Sequence, residues 1–308
     1  MIQSVSYVDP KKDPSHIITP KFNSKNGFNL EKLPDDLNIS TMTITCNFNT
    51  LIDIQNVGNY VDLSLGKIVC VKFGPNNSTV RTLIKLKKKS KKEVKKNRKN
   101  FYNQATVIIA VEDGRTVNIK VFKNGAVQMT GCKSFENFTT AMKILCNELG
   151  KKKAVYDRSI GKIVPKNFVT NYDSLKVDNI YNLRIRMINS NFHIGFLINR
   201  SELFKIMSKG GVRCTYDTSI HASVSVKYLY DNKDIVSIFV FESGAIIITG
   251  AKKREHIVSA YRYITTFLYE NYDKIIKANV ENFLERDDIQ DLIQQAVEQQ
   301  SNKITLQI

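Results

Sequence analysis

Short runs of alternating apolar and polar residues mark several strands in this chain. Across residues 116–130 the apolar positions of two such runs are Val117, Ile119, Val121, Val127 and Met129. The residues between them are Asn118, Lys120, Phe122, Gln128 and Thr130. Because successive side chains of a strand point to opposite faces, the first set predicts a buried sheet face and the second set an open one.

A helical period follows directly after these strands. Residues 138–149 carry apolar side chains at i, i+3, i+4, i+7 and i+11, namely Phe138, Ala141, Met142, Leu145 and Leu149. This spacing lines one face of a helix. Ser134 precedes the run and can accept a hydrogen bond from a free N–H group of the first turn. The pattern predicts a helix packed on the buried face of the sheet.

The whole pattern occurs twice. Residues 122–133 read FKNGAVQMTGCK and residues 241–252 read FESGAIIITGAK, a constant offset of 119. The apolar helix positions of the second copy are Ile257, Ala260, Tyr261, Ile264 and Leu268. The open sheet face of the second copy would hold Ser237, Phe239, Phe241, Ile247 and Thr249. Repetition on this scale predicts a duplicated unit.

Residues near the beginning of each copy match at a different offset. Asn38-Ile39 matches Asn182-Leu183, and Asn47-Phe48 matches Asn191-Phe192, both at an offset of 144. The first copy is therefore expected to hold 25 additional residues, placed at about 76–100. Each copy would consist of a strand, a short helix, several strands and a long helix.

Positive charge is concentrated in that insertion. The chain has 46 Lys and Arg against 29 Asp and Glu, a net charge of +17. The lysine block, residues 85–99, holds ten cations and Glu93 and contributes +9. Such a block repels itself and attracts phosphate, which favours a nucleic-acid partner; a solubilising loop or an import signal is the alternative. Residues 276–308 are acidic with apolar residues at helical spacing, which predicts an amphipathic helix.

Several function classes lack their usual signatures. No apolar run reaches the roughly 18–20 residues of a membrane span, and the N-terminus has no secretory pattern. The five cysteines and four histidines show no metal-ligand spacing, so no zinc site, cofactor or disulfide frame is expected. Walker-type, dinucleotide and nucleophile-elbow motifs are also missing. The sequence predicts a protein that is not an enzyme and binds no membrane.

The duplicated Phe-x-x-Gly…Thr-Gly-x-Lys unit resembles the TATA-box-binding protein family. The resemblance implies an α+β fold of two tandem pseudo-symmetric repeats forming a saddle, a curved antiparallel sheet with helices on its convex face. It divides the chain into an N-terminal tail (1–35), a first repeat (36–150), a linker (151–177), a second repeat (178–275) and an acidic C-terminal helix or tail (276–308). The sequence diverges from the family pattern and uses Asn, Lys and Ile heavily, which points to a large DNA virus as its source.

The resemblance also implies a transcription initiation factor that binds and bends AT-rich double-stranded DNA through the minor groove. It assigns base edges to Asn38 and Asn182, the groove floor to Thr130 and Thr249, wedging to Phe122 and Phe241, and phosphates to Asn124, Ser243 and Arg115. Further basic or open-face candidates are Lys120, Gln128, Phe239, Ile247, Arg184, Arg186, Lys88, Lys91 and Lys95. The structural alternative is that the phenylalanines are ordinary sheet aromatics and that Asn38 only initiates a strand.

Some positions depart from the family. The second phenylalanine that the family carries in each loop before the strand hairpin is replaced, with Phe101 or Tyr102 as the substitute in copy one and Ile220 in copy two. Lys120 and Gln128 also stand where the family floor is apolar. These departures leave promoter preference and the degree of bending open, whereas the additional cations favour DNA binding.

Two other functions compete with this interpretation. One is a nucleic-acid enzyme that uses the same fold as an accessory domain, although residues 276–308 are too short for an added catalytic domain. The other is a protein-interaction module whose sheet is filled by an acidic segment, such as the C-terminal one. As a transcription factor, the protein would work with general transcription factors and RNA polymerase, in the nucleus or in a cytoplasmic viral factory or virion.

Overall fold

The computed structural model describes residue 30 and residues 32–74, 79–85, 103–111 and 114–277. The chain divides into two compact units. One unit contains Thr41–Met187, and the other contains Leu30–Ser40 with the chain from Ile188 onward. Two strands, Asn38–Asn47 and Tyr181–His193, have residues in both units; by sequence repeat, the first is grouped with the first unit and the second with the second unit.

The first unit is built on an antiparallel sheet. Its elements are β1 (Asn38–Asn47), α1 (Ile54–Tyr60), β2 (Ile68–Phe73), β3 (Thr79–Thr82), β4 (Gln104–Ala110), β5 (Thr116–Phe122), β6 (Ala126–Cys132), α2 (Phe135–Leu149), β7 (Lys152–Asp157) and β8 (Lys162–Asn167). The strand order is β1-β6-β5-β4-β2-β3, and each neighbouring pair is antiparallel. The strands β7 and β8 form a separate hairpin.

The second unit repeats this arrangement. After a 3₁₀ turn at Val177–Asn179, its elements are β9 (Tyr181–His193), α3 (Arg200–Lys209), β10 (Cys214–Thr215), β11 (Ser223–Tyr230), β12 (Asp234–Phe241), β13 (Ala245–Ala251), α4 (Arg254–Glu270) and α5 (Tyr272–Ile275). The strand order is β9-β13-β12-β11-β10, again antiparallel throughout.

The core of each unit lies between the sheet and its long helix. The alternating apolar residues predicted to face inward are all buried, as are the predicted apolar positions of α2. Ser134 caps α2, since its hydroxyl accepts a hydrogen bond from the backbone N–H of Asn137 at 3.1 Å. In α4 the predicted positions are buried except Tyr261, which is partly exposed. The predicted sheet-and-helix packing is confirmed.

The strand register corrects the alignment of the two copies. Cys46 pairs with Val127, and Phe192 pairs with Ile246, the counterpart of Val127 at offset 119. Cys46 therefore corresponds to Phe192, an offset of 146 (192 − 46), and the predicted offset of 144 is wrong. A shift of two residues keeps every side chain on the same face of a strand, so the alternation alone could not detect the error.

The corrected register moves two predicted equivalences. The counterpart of Asn38 is Arg184, not Asn182. The helix caps support the corrected offset, because Asp53 caps α1 and Asn199, 146 residues later, caps α3. The first copy is therefore longer by 27 residues (146 − 119) rather than 25.

Most of the additional residues lie between β2 and β4. Lys72 and Thr215 occupy equivalent places, since Lys72 pairs with Thr106 and Thr215 pairs with Ser225, 119 residues later. From Lys72 to the first residue of β4 the chain advances 32 residues, whereas the equivalent step in the second copy is 8. The additional segment includes β3, which pairs with β2 at the sheet edge; most of the lysine block lies outside the described residues.

Residues 151–177, predicted as a linker, contain the β7–β8 hairpin. It is attached to the first unit by an ion pair between Lys153 and Asp62 at 2.5 Å and by a hydrogen bond from the Asn56 amide to the Asn167 carbonyl at 2.8 Å. The linker sequence therefore has regular structure of its own. The division of the whole chain into five parts stays a prediction.

The glycine of each Phe-x-x-Gly motif closes the turn between the last two strands. The Gly125 N–H donates to the Phe122 carbonyl at 3.0 Å, and the Gly125 carbonyl accepts from the Phe48 N–H at 2.9 Å. Gly125 has a φ of +81°, and a Cβ there would meet the carbonyl oxygens of Phe48 and Thr50. Only glycine fits both the backbone angle and the available space.

Substitution at this turn should be more damaging than at an open glycine. Gly66 also has a positive φ, of +78°, but a Cβ there would meet nothing within 4 Å. Gly66→Ala is expected to lower the free energy of unfolding by about 1–2 kcal/mol through backbone strain alone. Gly125→Ala should lower it by about 1–3 kcal/mol more, because the carbonyl oxygens must move. Urea denaturation of both variants checks this, and equal losses would contradict it.

Candidate nucleic-acid interface

The first unit presents a row of polar and basic side chains on the sheet face that no described helix covers. Cross-strand pairing places the row across five strands, and it consists of Lys72, Thr106, Lys120, Gln128 and Thr45. Lys120 and Gln128 are directly opposite each other and half-buried. The Arg186 guanidinium extends the row, since its Nε donates to the Thr45 hydroxyl at 2.9 Å. Two lysines and an arginine therefore belong to one band of the face.

Neighbouring rows carry the other predicted residues of the first unit. Phe122 lies at the end of β5 opposite Gln104 and is half-buried. Thr130 lies between Asn118 and Thr43. The structure thus brings Phe122, Thr130, Lys120 and Gln128 onto one face.

The second unit places aromatic and aliphatic side chains at the equivalent positions. Phe239 lies between Ser225 and Ile247, and Ile247 pairs in turn with Asn191. The next row includes Thr249, whose hydroxyl donates to the side-chain amide oxygen Oδ1 of Asn189 at 2.5 Å. The middle of this face is apolar, although its neighbouring rows are polar.

His221 joins the two phenylalanines of this face and was not predicted from the sequence. Its ring centroid lies 5.3 Å from that of Phe239 and 5.9 Å from that of Phe241. Its Nδ1 is 2.7 Å from the Ser223 hydroxyl. Ile220, the predicted substitute wedge, is 81% exposed. An imidazole is flat and aromatic, so a histidine in this loop can take the place where a phenylalanine was expected.

Arg200 positions the loop that carries His221. Its guanidinium donates to the Ala222 carbonyl at 2.5 Å and pairs with Glu242 at 2.6 Å. Lys277 also binds Glu242, at 2.5 Å. The hydrogen bonds from Lys277 and Arg200 hold the pKa of the Glu242 carboxyl below its ordinary value. This network connects the first turn of α3 to both the loop and the turn after β12.

The predicted asparagines lie at the beginnings of the first strands. Asn38 is exposed and its amide donates to the Asp36 carbonyl at 3.3 Å. Asn182 is exposed and has a φ of +51°. Arg184 is likewise exposed on β9. Their assignment to base edges or phosphates stays a prediction.

The residues predicted to contact phosphate lie in turns. The side chains of Asn124 and Ser243 accept hydrogen bonds from the backbone N–H groups of Ala126 and Ala245, at 3.2 and 3.4 Å. Both side chains therefore shape the turn between the last two strands. Arg115 is exposed next to the β4–β5 turn. Lys88, Lys91 and Lys95, like Phe101 and Tyr102, lie outside the described residues.

The lysine of each Thr-Gly-x-Lys motif begins the connection to the long helix. The Lys133 N–H donates to the Asn137 side chain at 3.2 Å, and the Lys252 N–H donates to Nδ1 of His256, the residue equivalent to Asn137, at 3.3 Å. His256 is buried, and its Nε2 lies 3.6 Å from the Asp234 carboxylate. The Lys252 ammonium binds the same carboxylate at 2.9 Å.

Within the described ranges, no group of three or more His, Cys, Asp or Glu side chains could hold a metal ion. No helix in that part of the chain has the length and apolar character needed to cross a membrane.

Comparison with known proteins decides the family. A sequence profile described as "Transcription factor TFIID (or TATA-binding protein, TBP)" matches residues 182–271. The "TATA-box-binding protein-like" protein of Acanthamoeba polyphaga mimivirus is 39% identical over 261 residues, which are 78% of this chain and 67% of the relative. This chain belongs to the TATA-binding protein family.

Two further proteins are less similar to this chain. "Uncharacterized protein 335L" of Invertebrate iridescent virus 6 is 25% identical over 49% of this chain and 41% of its own length. The solved Methanococcus jannaschii TBP aligns with 76% of this chain and 99% of its own, at 17% identity and a TM-score of 0.45. The two similar sequences are virus proteins, as the predicted relationship to viruses requires.

Membership of the TATA-binding protein family confirms the predicted fold class, an α+β fold with two tandem copies. The residues that the family profile matches, 182–271, lie in the second copy. Proteins of this family are not enzymes; they bind DNA and act with the transcription machinery.

His256 should make the stability of this family member depend on pH. Burial lowers its pKa, and the Asp234 carboxylate opposes that effect only in part. An unfolded histidine has a pKa of about 6.5, so below that pH the unfolded chain takes up the proton more readily and the folded state loses stability. Asp234, whose pKa is lowered chiefly by the hydrogen bond from Lys252, stays ionised in this range.

The matched variant is His256→Asn, which introduces the residue present in the first copy. It keeps a hydrogen-bond acceptor for the Lys252 N–H but cannot titrate. Denaturation at pH 7.5 and 5.5 should show a smaller loss of unfolding free energy in the variant than in the unmodified protein. An identical loss in both would show that His256 does not titrate with unfolding.

Proposed function

We propose that this protein is a non-enzymatic transcription initiation factor that binds AT-rich promoter DNA in the minor groove and bends it. The observation that carries this proposal is the repeated placement of a phenylalanine and a threonine on the open face of each copy. Phe122 and Phe241 end equivalent strands, and Thr130 and Thr249 occupy equivalent positions on the next strands.

The chemistry of these side chains suits a minor groove. A·T pairs present only acceptors there, at adenine N3 and thymine O2, so hydroxyl and amide groups can donate to them. An aromatic side chain inserted at a base step unstacks it, at a cost of about a few kcal/mol, and lets the bent duplex contact more protein. In the second copy His221 would stand next to Phe241 at such a step, 5.9 Å away ring to ring.

The charge of the lysine block would add affinity that does not depend on the DNA sequence. The lysine block, with Lys88, Lys91 and Lys95, would neutralise phosphates and release counterions. The protein would work together with general transcription factors and an RNA polymerase. Its place of action would be the nucleus, or a cytoplasmic viral factory or virion.

Removal of the two wedges tests the mechanism. Phe122→Ala/Phe241→Ala is expected to weaken binding to an AT-rich duplex by at least about tenfold, since one aromatic–base contact is worth about 1–3 kcal/mol. The bend, followed by fluorescence transfer between the duplex ends, should decrease. Gel-shift titration measures the affinity.

Tyr156→Ala provides the control, because Tyr156 is 62% exposed on the β7–β8 hairpin and lies on neither face. It should bind and bend as the unmodified protein does. Unchanged affinity and bending in the double variant would refute wedging. If the unmodified protein binds no duplex at low salt, the proposed function is wrong.

The lysine block should control salt dependence rather than sequence preference. Each lost phosphate contact reduces the slope of log K against log salt by about 0.9. Replacing Lys88, Lys91 and Lys95 by Gln should therefore lower the slope by up to about 2.7 and leave the ratio of AT-rich to GC-rich affinity unchanged.

A charge-matched control replaces three exposed lysines that lie away from both open faces, namely Lys162, Lys176 and Lys209. This variant should keep nearly the whole slope, which fluorescence anisotropy across a salt series measures. Equal slopes for the two triple variants would show that the lysine block makes no phosphate contacts of its own.

A further inference from the structure

We infer that the two copies recognise their halves of the DNA site by different rules. The second copy requires A·T pairs, whereas the first copy accepts G·C pairs. This inference rests on the proposed function and concerns the specificity of the same faces.

The inference depends on the outward positions of the two central strands of each sheet. At four of the seven positions the copies hold the same or similar residues, namely Asn118/Ser237, Phe122/Phe241, Ala126/Ala245 and Thr130/Thr249. The remaining three positions, Thr116/Ile235, Lys120/Phe239 and Gln128/Ile247, change from polar to apolar. Thr116 and Ile235 are exposed near the beginnings of their strands, whereas the other two positions are half-buried cross-strand partners in both copies and form the middle row.

The neighbours of the middle row reinforce the difference in the first copy. Thr106 and Lys72 continue the row on one side of Lys120. Thr45 continues it beyond Gln128 and accepts the hydrogen bond from Arg186. In the second copy the flanking residues are the small Ser225 and the amide Asn191, without a lysine in the row.

The guanine amino group distinguishes the two surfaces. A G·C pair adds this donor to the minor groove, between acceptors that A·T pairs also present. Against Phe239 and Ile247 the amino group would meet apolar side chains that cannot accept its hydrogen bond, which is costly; the acceptors of this row, Ser225 and Asn191, lie on the adjacent strands. Against Gln128 the side-chain carbonyl can accept from it, while the Lys120 ammonium donates to the remaining acceptors. The first copy therefore tolerates the pair that the second copy excludes.

Lys227 of the second copy does not alter this contrast. It lies one row away, on β11, and its ammonium donates to the Ser237 hydroxyl at 2.7 Å. It is a donor without an acceptor for the guanine amino group. A lysine in that row adds positive charge and leaves the apolar pair of the middle row intact.

The experiment uses the full chain and three duplexes that share an A·T core. The first keeps the core, the second has G·C pairs in one half, and the third has G·C pairs in both halves. The unmodified protein should bind the second within about threefold of the first and the third at least about tenfold more weakly, the cost of a mismatched pair. Cleavage by an iron chelate attached at Lys123, exposed in the β5–β6 turn of the first unit, should place the first copy over the G·C half.

Exchange of the middle rows provides the decisive variants. Lys120→Phe/Gln128→Ile should lose about tenfold on the second duplex relative to the first. Phe239→Lys/Ile247→Gln should bind the third duplex nearly as well as the first, a gain that misfolding cannot produce. Arg184→Gln removes one exposed charge outside the middle row and should weaken binding to all three duplexes equally.

The possible outcomes separate this inference from the proposed function. Binding to the A·T duplex with a tenfold loss for G·C in one half would overturn the inference and leave the proposed function standing. The same follows if the second exchange variant does not gain tolerance of the third duplex. Absence of binding to any duplex would overturn both.

Discussion

The pairing of the last two strands of each copy with its first strand determines which side chains face away from the long helix. A register slip of one residue would turn Lys120, Phe122 and Thr130 inward and expose their apolar neighbours. The glycine turn after Phe122 prevents this slip, because Gly125 hydrogen-bonds to both Phe122 and Phe48 and has no room for a side chain. Backbone pairing therefore determines which residues form the candidate interface. The side chains of the interface are not needed to keep the strands in register.

The fold of each copy depends on the packing of its sheet against its long helix. The buried faces of the two copies have therefore stayed more alike than their open faces. The buried pairs are Val117/Val236, Ile119/Ile238, Val121/Val240, Val127/Ile246 and Met129/Ile248, all apolar and most of them identical in type. A buried position that changes size leaves a cavity or a clash, each of which costs stability. Lys120 and Gln128 meet neither penalty, since they are half-buried on the open side.

The sequence predicted what depends on short-range periodicity. The strands, the α2 and α4 helices, the Ser134 cap and the open-face residues all follow from spacing within one element. The predicted equivalence of Asn38 and Asn182 was wrong, because an alignment error of two residues leaves the alternation of a strand unchanged. The β7–β8 hairpin pairs residues only 5 to 15 apart, but its strands are mostly exposed and β8 contains Pro165, so no alternating apolar run marks them. The position of His221 beside Phe239 depends on a contact between a loop and a strand, which spacing within one element does not encode.

This division between a buried face that maintains the fold and an open face that is free to change explains how a duplicated protein can come to bind its site in one orientation. Two identical copies would read the two halves of a site by the same rule and could bind in either orientation. The proposed difference between the Lys120/Gln128 row and the Phe239/Ile247 row would remove this equivalence while the buried cores stay alike. Stability would then depend on one side of each sheet and polarity of binding on the other, so that changes in sequence preference would need no compensation in the core.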